Sequence, residues 1–552
     1  MNLESTRSLT TLGLLLLVSL VSASVDAETT GDLVPRAQLI EDVWQLLDTI
    51  EESHPDPYAA GGGRVAFHRR FHRALNTLPG EGLSTEDFFR LLQPLLASIE
   101  DSHTGIQAAA GAAEPLHFPL KFRFVEELLV VERVAEPALE PLLGATLKSI
   151  EGVPVRVLLD RQASIRGMEN AYGHLALFNL RTLATHEGLR QVLPEWRTPD
   201  TLRLGLQSAT GDVLVREISL PESSPNAWIT IPTRVELPST GSNDIAYAFL
   251  DEGRSTALLV ISDLMKYREA CELWFADGLA QAEVMAKAAY EHFNGAPSPE
   301  DRESLLSGIP SATDTISELV RQMEAAGTRN LIVDLRGNTG GNSALREILV
   351  YLLYGDTAMR ALDNGYEIVK LSPLLFEQYS GRTLDNINDG RAYALRATGF
   401  DFGEEDSYHL PDSPVTPQHD SILTNSPSFW RVYETKEFHH STWTPTNVLV
   451  LCSPLTFSSG FNVLTGLYAM GAKVVGTPSA QPGNNFGDVL QFQLKNTGLG
   501  VFVSHKQIVT FPDDPESGRC LKPDYPLTLE KLAGFDFDPN AEVQLALDIL
   551  GE

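Results

Sequence analysis

The stretch Asn330-Leu331-Ile332-Val333-Asp334-Leu335-Arg336-Gly337-Asn338-Thr339-Gly340-Gly341-Asn342 decides the fold class of this chain. Leu331, Ile332 and Val333 form a short apolar run, rich in β-branched residues and too short for a helix. It predicts a strand buried on both faces, as in a parallel sheet. Asp334 and Arg336 close that strand, and Gly337, Gly340 and Gly341 lead into a helix predicted over 343–353. A glycine turn between strand and helix exposes backbone N–H groups beside the positive end of a helix dipole. Such a place suits an anion, or the oxyanion of an acyl-transfer transition state. The spacing is not G-x-G-x-x-G and no Gly-Lys-Ser/Thr follows, so dinucleotide and P-loop chemistry do not fit. Taken alone, the loop reads equally as a tight βα turn that needs glycine for positive φ.

A second junction of the same kind lies downstream. Residues 447–452, NVLVLC, form another buried-type strand, followed by Ser453-Pro454-Leu455-Thr456-Phe457-Ser458-Ser459-Gly460 and a helical run to Met470. Serines at a helix start are commonly N-caps. They also serve as nucleophiles, because the helix end stabilises developing negative charge. Lys473-Val474-Val475-Gly476 then forms a third short strand with a glycine stop. Together with strands over 245–250 and 257–261, these segments alternate with helices and imply βαβ units.

D-L-R-x-N-x-G-G, then a strand, a Ser-rich helix start and a strand closing in V-V-G, resembles the C-terminal-processing (tail-specific) serine protease superfamily. That superfamily includes tricorn-type proteases and a chlamydial secreted protease. The resemblance runs from Leu39 to the C-terminus, with two insertions. It implies a ClpP/crotonase-like α/β catalytic core, an N-terminal helical domain and a PDZ-like β-rich module. Laid on the family's Ser-x-x-Glu stretch, Ser458 is the nucleophile and Phe461 stands where the glutamate would be. Where the processing proteases carry their catalytic lysine, residues 476–487 read GTPSAQPGNNFG, with no lysine. A Ser–Lys dyad is therefore disfavoured, and the resemblance is closer to the tricorn-like Ser/His/Glu branch.

That branch takes its base from a histidine far upstream. Asp101-Ser102-His103-Thr104 resembles the family's D-x-H-T/S motif, so His103 would shuttle the serine proton, as imidazole can near neutrality. Glu516, in Phe511-Pro512-Asp513-Asp514-Pro515-Glu516, would orient His103, the register being shifted by a residue against the family pattern. The alternative is that Asp513, Asp514 and Glu516 form a solvated acidic turn between prolines. N–H groups of Gly340 or Gly341, and of Ser459, would hold the oxyanion. His54, followed by Pro55, reads as an ordinary helix stop. His439 and His440 lie in an insertion without recognisable metal-ligand spacing, and no H-E-x-x-H occurs, so neither a metal nor another cofactor is expected.

The organisation expected is a signal peptide over 1–27, a helical domain over 28–113 carrying His103, and a PDZ-like module over 114–225. The α/β catalytic domain spans 226–552, interrupted by insertions 265–312 and 357–446. In the β-rich part, 144–155 reads as a strand, an E-G turn and a short helix, as in a PDZ-like module whose edge strand adds a peptide. An ordinary β-rich connector fits it equally, since no Gly-Leu-Gly-Phe is visible.

Arg7, the apolar run Leu12 to Val21 and Val25-Asp26-Ala27 have the form of a secretory signal, with cleavage after Ala27 and a secreted or periplasmic product. No later segment reaches membrane-spanning length, so no membrane insertion is expected after cleavage. Among 552 residues, 73 acidic against 42 basic give a net charge of −31. That balance argues against nucleic acid or anionic membrane as partner and suits a polypeptide substrate. Of the three cysteines, Cys452 reads as core, while a Cys271–Cys520 bridge is compatible with an oxidising compartment. The sequence reading is thus an exported serine endopeptidase. The rival is a non-catalytic peptide- or hydrophobic-ligand-binding protein on the same fold, which Phe461 and the missing lysine keep open.

Overall fold

The computed structural model describes residues 33–551 apart from 109–113, 199, 226, 239–243, 363–364, 390, 392, 403–416 and 441–442. The expected signal peptide over 1–27 lies outside the described residues.

The decisive stretch sits in the middle of a six-stranded sheet. Its order is Tyr525–Pro526, Lys473–Gly476, Asn447–Cys452, Asn330–Asp334, Thr256–Ile261 and Ile245–Phe249. All neighbours are parallel except the last pair. Parallel sheets need cover on both faces, and this one has it. Leu259, Leu331, Val333, Val450 and Val474 point into one core with Ile316, Leu319, Ile348, Leu352, Val463 and Leu467. Those partners come from helices Ala312–Ala326, Leu345–Tyr354 and Ser459–Ala469. Alternate residues Leu258, Ile332, Leu449, Leu451 and Val475 face the opposite core with Ala541 and Val543 of the C-terminal helix. The helix after the glycine loop begins two residues later than its predicted start, at Leu345, because Asn342 Oδ1 caps the N–H of Ala344 at 2.9 Å.

The other two sheets frame this core. One is a long hairpin, Asn484–Gln493 with Gly500–Val509, extended by Tyr366–Lys370, Phe400–Asp401 and the two-residue strand Gly105–Ile106. Gly105 pairs with Phe502, which fixes the chain just after His103 against the hairpin. Helices Arg36–Ser53, Gly63–Thr77 and Thr85–Ala97 pack on the same hairpin through Leu494, Leu499 and Val501. The remaining sheet has seven strands, with the path Leu120–Val125, Leu128–Val134, Thr146–Ile150, Thr201–Gln207, Val213–Ser219.

Helices from the two expected insertions meet each other. Glu272 in the Arg268–Ala276 helix accepts from the hydroxyls of Ser426 and Ser428, both at 2.6 Å. All three cysteines are free thiols, so Cys271 and Cys520 do not pair. No helix among the described residues is long and apolar enough to cross a membrane.

Candidate active site

Both βα loops singled out in the sequence come together, sewn by short-range hydrogen bonds. Thr456 Oγ1 donates to the Leu335 carbonyl at 2.8 Å, Ser453 Oγ to the Arg336 carbonyl at 2.6 Å, and Phe457 N–H to the Asn338 carbonyl at 2.9 Å. Ser458 then caps the helix Ser459–Ala469 with φ 52° and ψ −125°. A side-chain-bearing residue held there costs on the order of 1–3 kcal/mol, so the surroundings must impose it. Gln481 helps to do so, its Oε1 accepting the Ser458 N–H at 3.3 Å.

The two serines differ in what their hydroxyls do. Ser459 Oγ donates to the Gly341 carbonyl at 2.7 Å and lies 2.9 Å from Ser343 Oγ, so it fastens the loops. Ser458 is half-buried and its hydroxyl has no partner among the described residues. Gly340 abuts it: a Cβ at position 340 would stand 2.6 Å from the Ser458 Cβ, and φ there is +106°. Gly341 passes so close to Leu264 that a Cβ would lie 2.1 Å from that backbone carbon.

The expected oxyanion donors divide. The Gly340 N–H is committed to Asn338 Oδ1 at 2.9 Å, an interior bond. The N–H groups of Gly341 and Ser459 have no acceptor among the described residues. Phe461, in the place of the family's glutamate, is sealed in the apolar core and takes no part.

His103 is buried and stacks on Phe457, the residue before Ser458, with ring centroids 4.9 Å apart. Its backbone N–H donates to Asp101 Oδ1 at 2.8 Å. No hydrogen bond joins its ring to Ser458 among the described residues. Asp101 Oδ2 is itself surrounded, accepting from His54 Nε2 at 3.2 Å, Thr104 Oγ1 at 2.5 Å and Ser504 Oγ at 2.7 Å. His54 is thus more than a helix stop. Its Nδ1 accepts the Asp56 N–H at 3.1 Å, which leaves Nε2–H to donate to Asp101.

Charge follows from this packing. Burial pushes His103 below its usual range, as does Arg166, against the pull of Asp101, Asp488 and the Phe486 carbonyl. Burial alone would raise Asp101, but the hydrogen bond and electrostatic pull of His54, with help from His103 and Thr104, hold it well below the carboxylate range. Glu169 goes the other way: burial, then the negative charge of Asp101, pushes it up to about 8. Ligand-type atoms of Asp101, His103 and Glu169 lie within 4.8 Å of one another. Both Asp101 oxygens are already taken by hydrogen-bond donors, so the cluster is a hydrogen-bonded group and not an open cation cage.

Glu516 is not brought to His103. It lies in a short surface helix, Pro515–Arg519, its side chain 78% exposed and 3.6 Å from Arg519. Asp514 caps that helix by accepting from the N–H groups of Glu516 and Ser517, and the prolines around it keep the segment at the surface. Sequence reasoning missed His54, Glu169 and Gln481, none of which sits in a motif; only the fold gathers them. A cleft of about 290 Å³ opens beside Gly341, walled by Met265, Trp274, Tyr379, Asp488 and Phe492.

No protein-family model matches this chain, and no curated protein matches it. Among solved structures, mature CPAF complexed with lactacystin is similar over 93% of this chain and 97% of that one, at 14% identity and a TM-score of 0.54. Mature CPAF alone is similar over 90% and 94%, at 14% identity and a TM-score of 0.52. The mixed α/β fold of several sheets and helices is therefore shared with CPAF nearly end to end.

Proposed function

We propose that the chain is an exported serine peptidase in which Ser458 attacks a peptide carbonyl. The observation that carries this reading is Ser458 itself: a strained, half-buried serine at a helix start whose hydroxyl, like the N–H groups of Gly341 and Ser459, has no partner among the described residues, next to Phe457 on which the buried His103 stacks. In the first step the Ser458 proton passes to His103 as Oγ bonds the carbonyl carbon, and the oxyanion is held by the N–H groups of Gly341 and Ser459. Collapse expels the amine, which takes the proton from His103. Water then repeats the sequence on the acyl-enzyme and releases the acid.

The fold shared with mature CPAF, solved in complex with lactacystin, is compatible with a ligand-accepting site on this scaffold. The ClpP/crotonase-like core, the PDZ-like role of 114–225 and the domain boundaries belong to the same proposal, as does export through the 1–27 signal. A polypeptide substrate would enter along the cleft beside Gly341. The test is a fluorophosphonate probe with unfolded casein as substrate. Covalent labelling of Ser458 and casein cleavage, both lost in Ser458→Ala, are expected; an unlabelled, inactive wild type would leave the ligand-binding reading. One observation favours that rival, the absence of a Ser458–His103 hydrogen bond. Catalytic contacts of this kind commonly tighten only when substrate binds.

A further inference from the structure

We propose that Glu169, acting through the Ser102 hydroxyl, positions His103 as the base for Ser458; this rests on the peptidase reading. Ser102 Oγ lies 3.3 Å from His103 Nδ1 and 3.0 Å from Glu169 Oε1. A hydroxyl has one proton to give and lone pairs to receive. An ionised Glu169 only accepts, so Ser102 gives its proton to Oε1 and receives the Nδ1–H of His103. The imidazole proton is thereby fixed on Nδ1, and Nε2 keeps the lone pair that a serine proton needs.

Neither Asp101 nor Glu516 does this. Asp101 Oδ1 stands 4.0 Å from Nδ1 and is occupied by the His103 backbone N–H, while Oδ2 is filled by His54, Thr104 and Ser504. Glu516 is on the surface. The second oxygen of Glu169, Oε2, is buried without a partner, a reserve of negative charge beside an imidazole that must become cationic in the transition state.

The arrangement has a direction that depends on protonation. The charged groups facing Glu169 are Asp101 and Arg166, with the Ser102 hydroxyl against it; Arg181 lies next to Arg166. His103 additionally faces Asp488 and the Phe486 carbonyl. Burial and Asp101 hold the Glu169 carboxyl up at about 8, so it is protonated below that pH. A protonated Glu169 donates to Ser102, Ser102 donates to Nδ1, and the imidazole proton moves to Nε2, where it blocks attack. Turnover should therefore rise with pH through about 8.

The experiment uses the full chain labelled with nitrogen-15 histidine, His103 being assigned by its loss in His103→Gln. His103 should carry its proton on Nδ1 above about pH 8 and on Nε2 below it. In Glu169→Gln and in Ser102→Ala that pH-dependent exchange should disappear. On casein, kcat should fall at least about tenfold in both variants, with KM changed less than about twofold, and the rising pH limb should vanish in Glu169→Gln. The effect is smaller than the roughly 10⁴ of a carboxylate touching imidazole directly, because a hydroxyl stands between. A His103 tautomer unchanged by Glu169→Gln between pH 7 and 9 overturns the proposal, as does loss of the pH limb in Glu516→Gln instead. Were Glu169→Gln not to fold, Ser102→Ala gives the same nuclear magnetic resonance reading. If wild type neither labels at Ser458 nor cleaves casein, the peptidase reading fails while the tautomer measurement still decides the role of Glu169.

Discussion

Replacing Glu542 with glutamine should loosen the glycine loop without touching any reacting atom. Glu542 starts the C-terminal helix and is buried between two guanidinium groups, with Oε1 2.7 Å from Arg123 and Oε2 2.7 Å from Arg336. Arg336 in turn grips Asp334 at 2.7 Å and accepts Ser453 Oγ on its carbonyl, so this carboxylate anchors the loop that carries Gly341. Burial alone would raise the Glu542 carboxyl, but the two arginine charges outweigh it and bring it from 4.5 down to about 2. A folded-state value below the unfolded one contributes stability that is present above the unfolded value and is lost as pH falls through the folded one. At about 1.4 kcal/mol per pH unit this is roughly 3 kcal/mol at neutral pH, falling to about 1 kcal/mol at pH 3. Urea denaturation followed by tryptophan fluorescence, on wild type and Glu542→Gln at pH 7 and pH 3, reads the difference directly. The gap should shrink by more than half between the two. A gap that is independent of pH, or below about 1 kcal/mol at pH 7, would refute the reasoning, since breaking a buried pair ordinarily costs about 3–5 kcal/mol.

Ser458→Ala should abolish fluorophosphonate labelling with the thermal midpoint nearly unchanged, and Ser459→Ala should retain labelling because its contribution is a backbone N–H; the reverse order, read by mass spectrometry, would exchange their roles. His103→Ala should remove casein hydrolysis while Lys473→Ala, which breaks only an exposed pair with Asp524 at 2.9 Å, should not, as steady-state rates will show. Gly340→Ala should lower kcat at least about a hundredfold, because a Cβ 2.6 Å from that of Ser458 must displace the nucleophile; activity within a few-fold of wild type would mean that the junction yields. Asp101→Asn should destabilise the fold by about 3 kcal/mol or more, removing the charge that His54, Thr104, Ser504 and the His103 N–H all donate to, and calorimetry would detect a change well below that.

The strand Asn330–Asp334, its glycine loop and the serine junction were legible because each rests on local chemistry. Buried β-branched runs and glycines at positive φ leave their mark on neighbouring residues. Ser458 and His103 were named because each lies in a local motif, the serine-rich helix start and Asp101-Ser102-His103-Thr104. The carboxylate proposed to stand behind His103 has no such motif, because contact between distant loops leaves no periodicity. Glu169 follows an arginine–glycine–methionine turn and reaches Ser102 only through tertiary packing, 67 residues away in sequence. Glu516, by contrast, lay in a plausible motif whose own caps and prolines hold it at the surface. The same limit applies to Gly340. Its φ of +106° was legible, but the Asn338 side chain that occupies its N–H was not.

These contacts bear on how the proposed site would work with no lysine in the segment 476–487. In the segment 476–487 the residue that reaches the serine is Gln481, whose Oε1 accepts the N–H of Ser458 at 3.3 Å. An amide cannot take up a proton at neutral pH, so it is no substitute for an amine as base; it acts on geometry instead. By occupying the Ser458 N–H it helps to hold φ of Ser458 at 52°, while the N–H groups of Gly341 and Ser459 have no acceptor among the described residues. On the proposed mechanism the proton goes to His103, the buried imidazole stacked on Phe457, whose Nδ1 has the Ser102 hydroxyl 3.3 Å away. With Gln481 confined to positioning the serine, the proposed proton acceptor comes from a second loop, the one that carries His103.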